Sequence, residues 1–193
     1  MGTLTASMFM TVDGFTEKPD GTLISPAWSG DLQVHWSGAN AHEGQMLLYG
    51  RRAFEINAGI WPSAAEDATN PDDYRAFAET MNALPKVVVS DSLHEVGWNT
   101  TVEAGPLDQV VDRLKERFDG EIVAVGGLSL VSSLVAGGLA DRLRFLVMPD
   151  VAGAGRSIFD HQPGRRRAEL PLELVSNQTM DTGAIIVEYA VRR

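Results

Sequence analysis

The feature that most limits the fold is the run EIVAVGGLSLVSSLVAGGL at 121–139: a short buried-type strand, two glycines, then an apolar segment of helical length with serines on one side. A strand apolar along its whole length is a strand covered on both faces, which is the habit of parallel sheets in α/β proteins. Gly126 and Gly127 stand where that strand opens into a helix, and backbone N–H groups at such a junction turn toward an anion. The spacing is not G-x-G-x-x-G, with no third glycine and no well-placed acid about 20 residues on, so the dinucleotide fingerprint of the Rossmann type is absent. A turn that lets helix and strand pack closely accounts for the glycines equally well.

The rest of the chain repeats this alternation. Residues 4–10 read as a first strand, followed by a Gly- and Pro-bearing loop of a length that is uncommon without a function. A weak helix is expected over 30–44 and a buried strand over 46–49. A helix begins at Arg51. Another follows Asn70, read as its N-cap with Pro71 at the first helical position, and Tyr74, Phe77 and Met81 form its buried stripe. KVVVS at 86–90 is a further buried strand, and Leu107, Val110, Val111, Leu114 and Phe118 mark the apolar face of a helix over 106–118. The segment 142–151 continues the sheet. LELVSNQT and AIIVEYAV, joined by MDTG, read as a hairpin. The expected fold is therefore α/β: three layers, with a central, mostly parallel mixed sheet between helices and antiparallel strands at the C-terminus. With 193 residues and neither repeats nor low-complexity stretches, one domain over 1–193 is expected, long enough to bury about 70% of its unfolded surface.

In such a sheet, ligands sit outside the carboxyl ends of the strands. Besides the glycine pair, two strand ends carry polar chemistry. Gly50 is followed by Arg51 and Arg52 in a first helical turn, where positive charge opposes the helix dipole by ~0.3–1 kcal/mol per residue unless an anion is present. Arg51 paired with Glu55 at helical spacing is the competing reading. Ser90 and Ser92 follow the third strand, where hydroxyls meet a phosphate or ribose or simply build a turn.

Together the first strand with VDG behind it, YGRRAFE, KVVVS and VAVGG opening a helix resemble the dihydrofolate reductase superfamily. The order is most similar to the branch that holds the reductase domain of riboflavin biosynthesis, and MPDVAGAGRSIF at 148–159 resembles that branch's Pro…Gly-x-Gly…Phe segment. The resemblance spans about residues 4–190. It implies NADPH bound across the carboxyl edge of the sheet. Gly50, Arg51 and Arg52 would lie against the 2′-phosphate and pyrophosphate, and Ser90 and Ser92 at the adenosine. Gly126 and Gly127, with Leu128, Ser129 and Leu130, would hold the pyrophosphate, the glycine pair often through a cis peptide. It further implies a homodimer, with the C-terminal strands as the contact.

This chain departs from the pattern in several places. Asp91 stands between the serines, where a carboxylate repels a 2′-phosphate or accepts from a bare ribose hydroxyl, so NADH stays possible. Folate-reducing members carry a carboxylate in the helix after the first loop. Here Asp31 is offset from that position, with His35 one turn on, and folate reduction is not expected. Asp13-Gly14 matches the S-x-D-G opening except that Thr11 replaces serine. Asp31, Asp13 or water are the candidate proton sources, and Trp28, Trp36 and Trp61 the candidate walls of a planar pocket.

The leading expectation is an NAD(P)H-dependent reductase of a small planar C=N or C=O acceptor. The alternatives are a nucleotide-binding sensor or regulatory dimer without turnover, or a flavin-binding protein. The net charge of −10 argues against nucleic acid and anionic membranes as partners. With no Cys, no signal-type start and no apolar run of bilayer length, a cytoplasmic location is expected. His35, His42, His94 and His161 have no metal-ligand spacing, and the basic run at 164–169 reads as solvated surface.

Overall fold

Apolar residues alternate along the first strand, and the fold follows from that alternation. The computed structural model describes residues 1–94, 96–160 and 169–192. Strand β1 (Thr3–Thr11) leads through helix α1 (Gly30–Asn40) to β2 (Gln45–Gly50). Two helices, α2 (Arg51–Glu66) and α3 (Asp72–Ala83), then precede β3 (Lys86–Val89) and β4 (Thr100–Glu103). Helix α4 (Leu107–Arg117), β5 (Glu121–Val125), α5 (Leu128–Ala136) and β6 (Arg142–Met148) follow, and β7 (Leu172–Thr179) and β8 (Ile185–Val191) form the last hairpin. One sheet results, in the order β4-β3-β2-β5-β1-β6-β8-β7. Pairing is parallel from β4 to β6, and β8 runs antiparallel to both of its neighbours.

Leu4, Ala6, Met8 and Met10 of β1 share one face with Met46, Leu48, Ile122 and Ala124, and that face is covered by α4 and α5. On the other face Leu47, Tyr49, Val88 and Val123 meet Phe54 of α2 and Met81 of α3, while Leu146 and Ile186 meet Leu32 and Trp36 of α1. Each fully buried Leu contributes ~1.5–3 kcal/mol relative to exposure.

Under the end of α1 the core turns polar. Arg144 is buried and donates to Glu121 (2.9 Å), Glu188 (2.8 Å) and the Ala39 carbonyl (2.6 Å). Ser7 donates to Asn40, and Asn40 to the Trp36 carbonyl. The Arg144 bond to Ala39 satisfies a carbonyl that the helix end leaves without a partner, and together these bonds fix α1 to the sheet.

Several expectations are corrected. α1 ends at Asn40 rather than 44. α2 begins at Arg51 as expected, and its end, which the sequence left open, lies past Pro62 at Glu66. The N-cap position of α3 is Pro71, not Asn70, whose side-chain amide donates to the Ala64 carbonyl at 3.1 Å. β4 is an edge strand that the apolar pattern does not mark, since it pairs with β3 alone. The basic run at 164–168 and His161 lie outside the described residues.

Candidate functional site

Two helices leave the sheet from adjacent strands and on opposite faces. β2 and β5 are neighbours; α2 departs from the first over one face and α5 from the second over the other. A crevice opens at such a reversal. The two helix starts meet there: a Cβ placed on Gly127 would lie 3.2 Å from the Ala53 Cβ, and one on Gly50 would lie 3.5 Å from the Leu130 Cβ. Neither start carries a side-chain cap. Two sets of first-turn N–H groups therefore lie side by side, the arrangement that receives a phosphate or pyrophosphate. Leu128 and Leu130 are buried, so only their backbone can serve the crevice, whereas Ser129 is exposed.

The cis peptide implied for the glycine pair is corrected: no cis bond occurs among the described residues. Gly126 and Gly127 instead take φ of 72° and 81° in succession. A side chain is strained at either angle, and this alone requires glycine at both positions.

Arg51 joins a second loop to this edge. Its Nε donates to Glu55 at 2.7 Å and its Nη1 to Ser92 at 2.9 Å, so the helical pair and the contact with the loop after β3 coexist. Arg52 is exposed and pairs with no acid among the described residues. Ser90 accepts from the N–H groups of Ser92 and Leu93, forming a turn. Asp91 accepts from the Gly105 N–H at 3.0 Å, a partner outside the Ser90–Ser92 turn.

At the end of β1, Asp13 accepts from the Thr11 hydroxyl (2.6 Å) and from the N–H groups of Ala152 (3.1 Å) and Gly153 (2.8 Å). The Thr11 bond is the main cause that holds its carboxyl below the ordinary value; slight burial pulls the other way, and the two N–H groups add to the lowering. Asp13 therefore stays ionised at neutral pH and fastens the loop after β1 to the loop after β6. Farther along, Glu17 pairs with Arg156 at 2.7 Å, and a Cβ on Gly155 would collide with the Glu17 carbonyl at 2.3 Å. The long first loop is thus folded against 152–156.

The start of α1 borders a second space. Ser29 accepts from the Leu32 N–H and donates to Asp181 in the β7–β8 turn at 2.5 Å. Asp31 accepts from the Asp181 N–H at 3.0 Å and lies 3.3 Å from His35. Beside them is a cleft of about 430 Å³ lined by Trp28, Ser29, Gly30, Gln33, Asn70, Pro71, Asp73 and Tyr74. Of the three tryptophans expected to form a pocket, only Trp28 lines it. Trp36 belongs to the core, and Trp61 stands behind Tyr74 with ring centres 5.5 Å apart.

Gly50, Arg51, Ser92 and Gly127 thus belong to one connected edge, while Asp13 lies in the loop after β1 and Asp31 in the first turn of α1, against the β7–β8 turn. Gln33 and Asp73 were not marked by the sequence, and Asn70 and Tyr74 were marked only as helix cap and buried stripe, not as cleft residues. They join Trp28 only because α1 and α3 start near one another, and no local pattern reports that.

Comparison with known proteins agrees with this architecture. The chain is 23% identical over 188 residues to the protein YyaP of Bacillus subtilis (strain 168), covering 93% of this chain and 90% of that one. The dihydrofolate reductase of Enterococcus faecalis, solved with NADP(H), superimposes with a TM-score of 0.64 at 14% identity, over 99% of this chain and 97% of that one. The diaminohydroxyphosphoribosylaminopyrimidine deaminase/5-amino-6-(5-phosphoribosylamino)uracil reductase of Thermotoga maritima gives 0.65 at 14% identity, over 99% of this chain and 57% of that one. The fold is dihydrofolate reductase-like, and since the model of the RibD C-terminal domain matches residues 2–186, the chain belongs to that family.

Proposed function

We propose that the protein is an NADPH-dependent reductase of a small planar acceptor. The observation that carries this reading is the meeting of two uncapped helix starts at the crevice between β2 and β5, with Arg51 and Arg52 in one of them. The residues fit a dinucleotide. The N–H groups of Gly127, Leu128, Ser129 and Leu130 would hold the pyrophosphate, aided by the Gly50 turn. Arg51, Arg52 and Ser92 would face the 2′-phosphate, and Ser90 the adenosine. Asp91 is engaged with Gly105, which favours the phosphorylated cofactor over NADH. When bound, the cofactor supplies the hydride.

The chain's own residues orient the reactants, exclude water and supply a proton. Asp13 is held ionised and acts as a positioning residue. The Asp31–His35 pair beside the cleft is the side-chain route for the proton. The acids at this edge are otherwise engaged with backbone N–H groups, which favours a second reading, a nucleotide-binding module without turnover. The strand β7 is exposed along its whole length, which supports a homodimer through that edge.

Tryptophan fluorescence titration with NADPH and with NADH tests the reading. Arg51→Ala and Arg52→Ala should each weaken NADPH by about 10–100-fold, the range of a charge-assisted hydrogen bond, and leave NADH nearly unchanged. Absence of binding by either nucleotide would reduce the glycine pair to a structural turn. Binding without oxidation across a broad acceptor panel would select the second reading.

A further inference from the structure

The cleft beside α1 has a one-sided chemistry. Among its lining residues is a carboxylate, Asp73, and no Lys, Arg or His. Asn70 uses its amide donor on the Ala64 carbonyl, which leaves the amide oxygen free. Gln33 directs its amide nitrogen to Ser37 and likewise keeps its oxygen. The Trp28 indole N–H is engaged with Ser25, and Ser29 with Asp181. The two helix starts that border the cleft would attract an anion, but acids already occupy them: Asp31 in the first turn of α1, and Asp72 and Asp73 in that of α3. The nearest cation of α3, Arg75, is paired with Asp72 at 2.6 Å, and His35 lies against Asp31. What remains is a flat apolar surface, half-exposed Trp28 with Tyr74, ringed by acceptors.

We propose that the acceptor of this reductase is an unphosphorylated, neutral or cationic planar heterocycle that presents N–H or O–H donors to the cleft. The proposal rests on the reductase reading above and assigns the acceptor to this cleft, beside the Asp31–His35 pair. It separates this chain from a phosphoribosyl-bearing uracil such as the one in the name of the Thermotoga maritima protein. A phosphate dianion placed here would meet Asp73 without a partner cation, and like charges at such range are repulsive. The ring stacks on Trp28 and Tyr74 while its donors reach Asp73, Asn70 and Gln33.

Isothermal calorimetry on matched pairs tests this: cytidine with cytidine 5′-monophosphate, guanosine with guanosine 5′-monophosphate, and riboflavin with flavin mononucleotide. NADPH is held at saturation so that the cofactor crevice is blocked. The unphosphorylated member of a pair should bind about tenfold or more tighter than its ester, a difference near 1.4 kcal/mol. Asp73→Lys should narrow or invert that gap. An ester that binds as tightly as its parent overturns the proposal, and so does failure of every unphosphorylated member to bind. Failure of NADPH itself to bind sinks the reductase reading instead, and the pairs are then measured without cofactor to judge the cleft alone.

Discussion

Lys86 is almost fully buried at the start of β3, and its ammonium group has no carboxylate partner among the described residues. It donates to the Leu84 carbonyl at 2.6 Å and the Asn82 carbonyl at 3.4 Å, and lies 4.3 Å from the centre of the Trp98 ring. Burial lowers its pKa from 10.5 to about 8. At pH 7 the folded protein carries a charge that the unfolded chain holds more readily. At ~1.4 kcal/mol per tenfold, the displacement costs about 3 kcal/mol. Between pH 8 and 10.5 the unfolded state binds the proton that the folded state has released, so stability rises with pH across that window. By pH 10 the cost has fallen below about 1 kcal/mol. Lys86→Met removes the titrating group and keeps the volume. Urea unfolding of both proteins at pH 7 and pH 10 should show the variant gaining on wild type by about 2–3 kcal/mol more at the lower pH. Other titrating groups cancel in that difference. A gap that does not change with pH would mean that Lys86 stays hydrated, and the reasoning would fail.

Arg144→Met leaves the partly buried Glu121 without its cation and the buried Glu188 with Arg142 alone, and should lower unfolding free energy by ~3 kcal/mol at pH 7, read from urea midpoints. Burial alone would raise the Glu121 carboxyl, yet hydrogen bonds from Thr5 and Gln45 and the Arg144 guanidinium hold it below its ordinary 4.5. That contribution is therefore complete above pH 4.5 and is lost as pH falls through the folded value, which acid unfolding of wild type against Glu121→Gln should reveal. Gly127→Ala places a Cβ at positive φ and against Ala53; a loss of ~1–3 kcal/mol in thermal unfolding, with NADPH affinity lost as well, is expected. Leu174→Glu on β7 should convert a dimer to a monomer in sedimentation velocity, and a wild-type protein monomeric at every concentration would remove the dimer proposal.

The layers of the fold were legible because apolar runs and helical stripes are local signals. Residues 46–49, 86–90, 106–118 and 121–125 announce themselves through their own neighbours. β4 does not: Thr100 and Thr101 sit on an edge, half paired, and need no apolar alternation. Pro62 lies inside α2, which accepts the loss of one bond within a longer packed helix. Acid residues were the least legible part of the site. Asp13, Asp31 and Asp91 each look like a free acid in the sequence, and each accepts from backbone N–H groups 14 to 150 residues away. Long-range partners of this kind leave no trace in spacing. The glycine pair was legible as a junction, whereas its approach to Ala53 was not.

The turn after β7 reaches the first turn of α1 across 152 positions of the chain, from Ser29 to Asp181. Contacts of such separation form late, because a long loop must close before they are rewarded. The strands and helices that build the crevice, β2, α2, β5 and α5, are complete by residue 136. During synthesis, the nucleotide half of the edge can therefore assemble while the other half waits for the final hairpin to arrive and hold α1 in place. A ribosome-bound chain stalled short of residue 181 should protect its Gly127 region from proteolysis and leave the segment around Trp28 open to cleavage.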